Sequence, residues 1–228
     1  MKTLILISLT LLSNLTFGQF AIISDKDGYS NIRSKAEAGN NINDTLNNGH
    51  FVFCLETKGN WTNIDYSKKN QDLNGYLFHD RLQLISAYEN IPPLIKETNS
   101  STYGKDSIKI IVTKQKFDKT KYRLTYVKGS QSQIQYINGK QYWGEDGGLP
   151  KTEYRSISII IGSRKIDLPR TAVEDLFEPS LHHTQASYDR RKDILYIQSM
   201  NSDGAGSYYV IWRIEKGSYK DRYIAYGF

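Results

Sequence analysis

Asp27-Gly28-Tyr29-Ser30-Asn31-Ile32-Arg33-Ser34 is the stretch that decides what this 228-residue chain can be. Downstream of it, Gly59-Asn60-Trp61 and Gly75-Tyr76-Leu77-Phe78 follow at the intervals of a small β-barrel of about five to six strands, and Arg81-Leu82 closes the series. Upstream, Lys2 supplies a short basic segment, and Leu4-Ile5-Leu6-Ile7 through Leu11-Leu12 supply an apolar core too short to span a bilayer. Ser13, Asn14, Gly18 and Gln19 are small or polar, so residues 1–19 read as a secretory signal cleaved beside Gly18 or Gln19. No cysteine stands near that point, which disfavours a lipid anchor. The mature protein is expected to be secreted or periplasmic.

The motifs of residues 20–86 resemble the bacterial SH3 domain family. That family has an Asn-(Val/Ile)-Arg-Ser strand, a Gly-Asn-Trp hairpin and a closing Gly-Tyr strand that runs on to Arg-Leu. Here these are Asn31-Ile32-Arg33-Ser34, Gly59-Asn60-Trp61 and Gly75-Tyr76, with Arg81-Leu82. The resemblance implies a small barrel with Ile32 and Leu46 in its core, and a binding module of an exported cell-wall protein. It also implies a ligand groove built on Tyr29, Asn31, Arg33, Trp61 and Tyr76, with Arg33 pairing with backbone carbonyls. Flat aromatic platforms with a few polar groups suit a short peptide stem. Trp61 has a competing assignment as a core side chain that closes the barrel end.

The remainder reads as a second, antiparallel β-rich domain, which makes the chain mainly β. Pro92-Pro93 and the polar run Glu97-Thr98-Asn99-Ser100-Ser101-Thr102 mark residues 87–106 as a linker. From 107 onward, strand follows strand. Ile108–Val112, Tyr122–Val127, Gln133–Ile137, Ile157–Ile161 and Asp193–Gln198 are β-branched, apolar or alternating. Asn138-Gly139 predicts a two-residue hairpin leading into Gln141-Tyr142-Trp143, and Gly162-Ser163 and Lys216-Gly217 predict two more. Arg170–Glu178, between Pro169 and Pro179, reads as one short helix with Thr171 as its cap.

Charge divides unevenly. Residues 20–88 carry 7 Lys and Arg against 8 Asp and Glu, whereas residues 89–228 carry 22 against 16. The positive second domain favours anionic partners such as wall polymers. It has no dense Lys/Arg run or motif for nucleic acid. Cys54 is the only cysteine and sits in Phe51-Val52-Phe53-Cys54-Leu55, so it reads as a core side chain, and no intramolecular disulfide forms.

Two glycine-rich loops of the second domain stand out. Tyr142-Trp143-Gly144-Glu145-Asp146-Gly147-Gly148 and Asn201-Ser202-Asp203-Gly204-Ala205-Gly206 combine acids with residues that let backbones approach closely. Trp143, Glu145, Asp146 and Asp203 are therefore candidate partner-binding residues. Neither loop has the spacing of a calcium loop. His182-His183, if on a strand, would face opposite ways and could not easily share a metal. No cofactor or metal is implied.

The second domain has no cysteine, no paired-histidine zinc motif, and neither G-x-S-x-G nor S-x-x-K. The expectation is a non-enzymatic binding protein of the bacterial envelope that takes a short peptide or peptidoglycan-type ligand. Two alternatives stand beside it. One is an inhibitor or immunity-type protein that binds a secreted protein partner. The other is a hydrolase built on Glu145, Asp146 and Asp203.

Overall fold

The computed structural model describes residues 19–226, so the expected signal segment lies outside the described residues, apart from Gln19. Nineteen strands and a few single 3₁₀ turns form a mainly β structure. β1 (Gln19–Ile23), β2 (Tyr29–Arg33), β3 (Ile42–Asn47), β4 (Phe51–Lys58), β5 (Trp61–Lys68), β6 (Gln71–Phe78) and β7 (Leu82–Leu84) make one curled half-barrel sheet, in the order β3-β2-β6-β5-β4-β1-β7. One close approach joins β2 to the rest of the sheet. β2 meets β6 only at Arg33 and Tyr76, and there Gly75 lies directly against the Ile32 side chain. A Cβ at Gly75 would also stand 3.0 Å from the Arg33 carbonyl, so only glycine lets the two strands touch.

The expected linker is instead built into sheets. β8 (Glu89–Ile91), β9 (Pro93–Lys96) and β10 (Ser100–Lys105) occupy residues 87–106. Pro92 and Pro93 mark the corner between β8 and β9, which belong to different sheets. Pro93 is tolerated because β9 is an edge strand. The polar run conceals an alternation in which Ser101 and Tyr103 face inward. A period of two among small hydroxyl side chains carries little hydrophobic signal.

Next come β11 (Ile108–Lys116), β12 (Leu124–Tyr126), β13 (Ile134–Ile137), β14 (Thr152–Ile161), β15 (Arg164–Asp167), β16 (Thr184–Asp189), β17 (Ile194–Asn201), β18 (Tyr208–Glu215) and β19 (Ser218–Tyr226). Sheet β15-β14-β11-β10-β9 packs on sheet β19-β18-β17-β16-β8 over Tyr103, Ile110, Tyr154, Ile159, Ile197 and Trp212, while β12 and β13 form a small ribbon. The turns at Asn138-Gly139 and Lys216-Gly217 have positive φ at both residues, as two-residue hairpins require. Gln141-Tyr142-Trp143, however, is not the partner strand of β13. The ladder beyond Asn138-Gly139 stops at a single Ile137–Lys140 bridge, and β13 pairs with β12 instead.

The expected helix at 170–178 shrinks to a 3₁₀ turn, Arg170–Ala172, with no side-chain cap from Thr171. The segment is held from outside instead. The Ala172 carbonyl accepts from Trp212 Nε1 and Arg222 Nη1, both at 2.8 Å, and Arg222 also pairs with Asp175 at 2.6 Å.

The two modules share a core. Phe20, Ile22, Phe51, Phe53 and Ile85 of the first pack against Ile194, Tyr196, Ile211 and Ala225 of the second. β1 and β4 thus bury both faces, with Ala21, Ile23, Val52 and Cys54 turned to the inner cluster that holds Ile32 and Leu46. β17 does the same, with Leu195 and Ile197 facing the sandwich. Burial on both faces explains the unbroken apolar runs 51–54 and 194–197. Arg213 ties the seam by donating to the Gly49 carbonyl at 2.8 Å, with its guanidinium 4.7 Å from the Phe51 ring centre. Cys54 is buried, and desolvation pushes its thiol up to about 12, the behaviour of a core side chain. Among the described residues, no helix is long and apolar enough to cross a membrane.

Candidate functional site

On β2, Ser30 and Ile32 turn inward, so Tyr29, Asn31 and Arg33 stand outward by the period of two. Register then sets Arg33 beside Tyr76, and Tyr76 beside Asn63. Trp61 pairs with Phe78, their rings stacked with centres 4.1 Å apart, and the Arg33 guanidinium lies 5.7 Å from the Trp61 ring centre. Arg33 Nη1 donates to the Gly39 carbonyl at 2.7 Å, the backbone pairing expected of it, and to the side-chain Oδ1 of Asn41 at 2.8 Å. The structure therefore gathers Arg33, Trp61 and Tyr76 on the outer face of the sheet. Trp61 is half-buried against Phe78 and does not fill the barrel interior, which corrects the core alternative. Asn31 accepts from Thr45 Oγ1 at 3.3 Å, and Tyr29 lies at the far end of β2 opposite Asn47. These two are not gathered with the other three.

The glycine-rich loops meet. Gly144 has φ 108° and presses on the Phe177 backbone; no side chain fits there. The loop is pinned to the 170–178 segment, with Trp143 N–H donating to the Asp175 carbonyl at 2.8 Å and Phe177 N–H donating to the Trp143 carbonyl at 2.9 Å. From the second loop, Ser202 Oγ donates to the Gly144 carbonyl at 2.7 Å. Gly206 lies flat on Glu145, so a Cβ at Gly206 would stand 3.0 Å from both Glu145 Cα and N. Gly206 thus serves the contact between the loops, whereas Gly144 serves the contact of the first loop with the 170–178 segment.

An open cavity of about 200 Å³ results, lined by Tyr142, Trp143, Glu145, Gly206 and Tyr226. The Trp143 ring centre lies 4.8 Å from Tyr226 and 6.0 Å from Tyr208. Glu145 is half-buried in this cleft. Burial is the main cause that raises its pKa above the ordinary glutamate value, and the charges of Glu178, Asp203 and Asp146 raise it further against the opposing Lys151. Glu178 accepts from the Thr152 backbone N–H at 2.9 Å and from Thr152 Oγ1 at 3.1 Å, which fixes it near the loop. The structure therefore brings Trp143, Glu145, Asp146 and Asp203 into one neighbourhood, with Asp146 and Asp203 exposed on the rim. Comparison with known proteins returned no matching family model, curated protein or solved structure.

Tyr226 and Glu178 escaped the sequence reading. Tyr226 is the last residue of β19, 83 positions from Trp143, and no local pattern links the two. Glu178, with φ 51°, looked like part of a helix, although its conformation ends one. A carboxylate made acid-shy by burial and like charges, walled by aromatic rings, is suited to an incoming cation. A carboxylate can accept a cation's hydrogen bonds, aromatic rings attract a cation, and the repulsion between the acids falls when it binds.

Proposed function

We propose that this protein is a non-enzymatic binding protein of the bacterial cell envelope, taking the amine-bearing side chain of a short peptidoglycan-type stem peptide in the cleft at Glu145. The observation that carries this reading is the contact of Gly206 with Glu145, which turns two separate loops into one aromatic and acidic cleft. Glu145 receives the ammonium group, and Trp143 and Tyr226 cover the aliphatic stem. The outward face at Arg33, Trp61 and Tyr76 offers a second contact, in keeping with the resemblance of residues 20–86 to bacterial SH3 modules. The excess positive charge beyond residue 88 attracts anionic wall polymers over longer range.

Retention on purified peptidoglycan tests the reading. The protein is expected to be retained at low salt and less at high salt, and Glu145→Gln is expected to be retained less than wild type. Loss of retention in both salt conditions for wild type removes the proposal. A second reading, an inhibitor-type protein that grips a secreted partner, draws on Leu94 and Ile95, which are 62% and 54% exposed on the edge strand β9. Such an edge can accept an added strand. A stoichiometric protein complex without wall binding would favour it.

A further inference from the structure

Away from the loop cleft, a second cavity of about 410 Å³ lies between the modules. Gln19, Phe20 and Ser86 wall it on one side, and residues of the β16–β18 region wall it on the other. His182 and His183 are the only histidines outside the first module, and Met200 is the only methionine besides Met1. All three line this one cavity. The two histidines are not on a strand: they end the 3₁₀ turn Leu181–His183, which is why adjacent residues can serve the same space. Thr184 stands opposite Ser199 as the end rung of the β16–β17 ladder, and His183 and Met200 are the chain neighbours of that rung. On the same face, Gln198 Nε2 donates to Gln185 Oε1 at 3.0 Å.

His183 also has an orienting partner, since its Nδ1 lies 3.2 Å from Ser180 Oγ. With the ring proton on Nδ1 and donated to that hydroxyl, Nε2 keeps its lone pair for a ligand, the usual arrangement of a metal-binding imidazole. No carboxylate or thiol lines the cavity. Among the described residues, no three His, Cys, Asp or Glu side chains group to hold a metal ion. Imidazole binds many metals, but a thioether is soft and selects copper(I) among the biological ions. Phe20, Met200 and Tyr209 add apolar walls that a weakly hydrated monovalent ion tolerates.

We propose that the cleft between the modules binds a soft monovalent metal ion of the copper(I) class through His182, His183 and the Met200 thioether. This assignment is independent of the loop cleft.

The test uses the full chain with its methionine methyl groups labelled with ¹³C. Copper(I) is titrated without oxygen against a chromophoric copper(I) chelator, and silver(I) is titrated as its diamagnetic stand-in. One ion per chain is expected, drawn from the chelator. The Met200 methyl resonance, assigned by its loss in Met200→Leu, is expected to shift and saturate at one equivalent. Met200→Leu keeps the side-chain volume, so folding is preserved. That variant and His183→Ala are each expected to bind at least ~10-fold more weakly. The proposal is overturned if the chelator keeps its copper, if binding leaves the Met200 methyl unmoved, or if Met200→Leu binds as tightly as wild type. Zinc(II) that binds this site as well as copper(I) would also overturn it.

Discussion

The seam between the modules and the cleft between the loops are both places where distant parts of the chain meet, yet they are made from opposite materials. At the seam, Phe53 meets Tyr209 with ring centres 4.7 Å apart, and Phe51 meets Tyr196 at 6.0 Å. Large apolar side chains do the joining there, and contact is bought with area. At the cleft, two glycines do it by having no side chain at all: Gly206 lies on the Glu145 backbone of the other loop, and Gly144 lies on the Phe177 backbone beneath. The first kind of contact stabilises and tolerates little truncation. The second contributes little apolar area and leaves an open space lined by Glu145 and the aromatic residues Tyr142, Trp143 and Tyr226. One region holds the body together, and the other is free to bind.

Breaking the seam should have the largest effect. Phe53→Ala removes a buried ring that packs on Phe20 and Tyr209, and should cost about 3–5 kcal/mol. Because the core is shared, urea unfolding followed by Trp61 in the first module and Trp212 in the second should show one coincident transition. Two separated transitions in wild type would break the comparison, since the modules would then not depend on each other.

Gly144→Ala comes next. It places a side chain at φ 108° against the Phe177 backbone, and should cost about 1–3 kcal/mol. It should also abolish ligand binding at the cleft, and a thermal melt compared with a binding assay separates the two losses. Unchanged stability would mean that the first loop does not press on the Phe177 backbone.

Trp61→Ala sharpens the contrast between outer face and core. Losing its stack on Phe78 should cost about 0.5–1.5 kcal/mol in addition to the area that this half-buried ring covers, below the loss at the buried Phe53. A cost equal to that of Phe53→Ala would return Trp61 to the interior.

The smallest stability effect belongs to Glu145, and its sign is set by pH. Its folded pKa lies above the ordinary 4.5, so the folded state holds the proton to higher pH than the unfolded state does. Stability from this group is therefore fully present below 4.5 and declines as pH rises through the folded value. Glu145→Gln carries no charge and lacks that decline. Melts across pH should show the variant gaining on wild type above the glutamate range and matching it in acid. A variant less stable than wild type at pH 7 would mean that the charge is stabilised by a partner.

Much of the β architecture was legible because its signals are local. Asn138-Gly139, Gly162-Ser163 and Lys216-Gly217 each mark a turn by conformational demand. The apolar runs at 51–54 and 194–197 mark strands, although a run alone does not say that each strand is covered by two different partners. Residues 87–106 were misread because a strand of Ser101 and Tyr103 alternating with polar residues looks like a linker until its neighbours are known. The helix at 170–178 failed for a related reason. Its conformation is imposed by Trp212 and Arg222, which hold the Ala172 carbonyl from 40 and 50 residues away. At the cleft, the glycines and acids announced themselves, but their meeting depends on long-range packing, and Tyr226 carried no mark at all.

Calorimetric titration of a lysine-bearing stem-type peptide into wild type and Glu145→Gln at pH 7 bears most directly on the joined loops. Saturable one-to-one binding to wild type and at least ~10-fold weaker binding to the variant are expected. Equal affinity for both proteins, or no heat with either, would contradict a binding role for the joined loops.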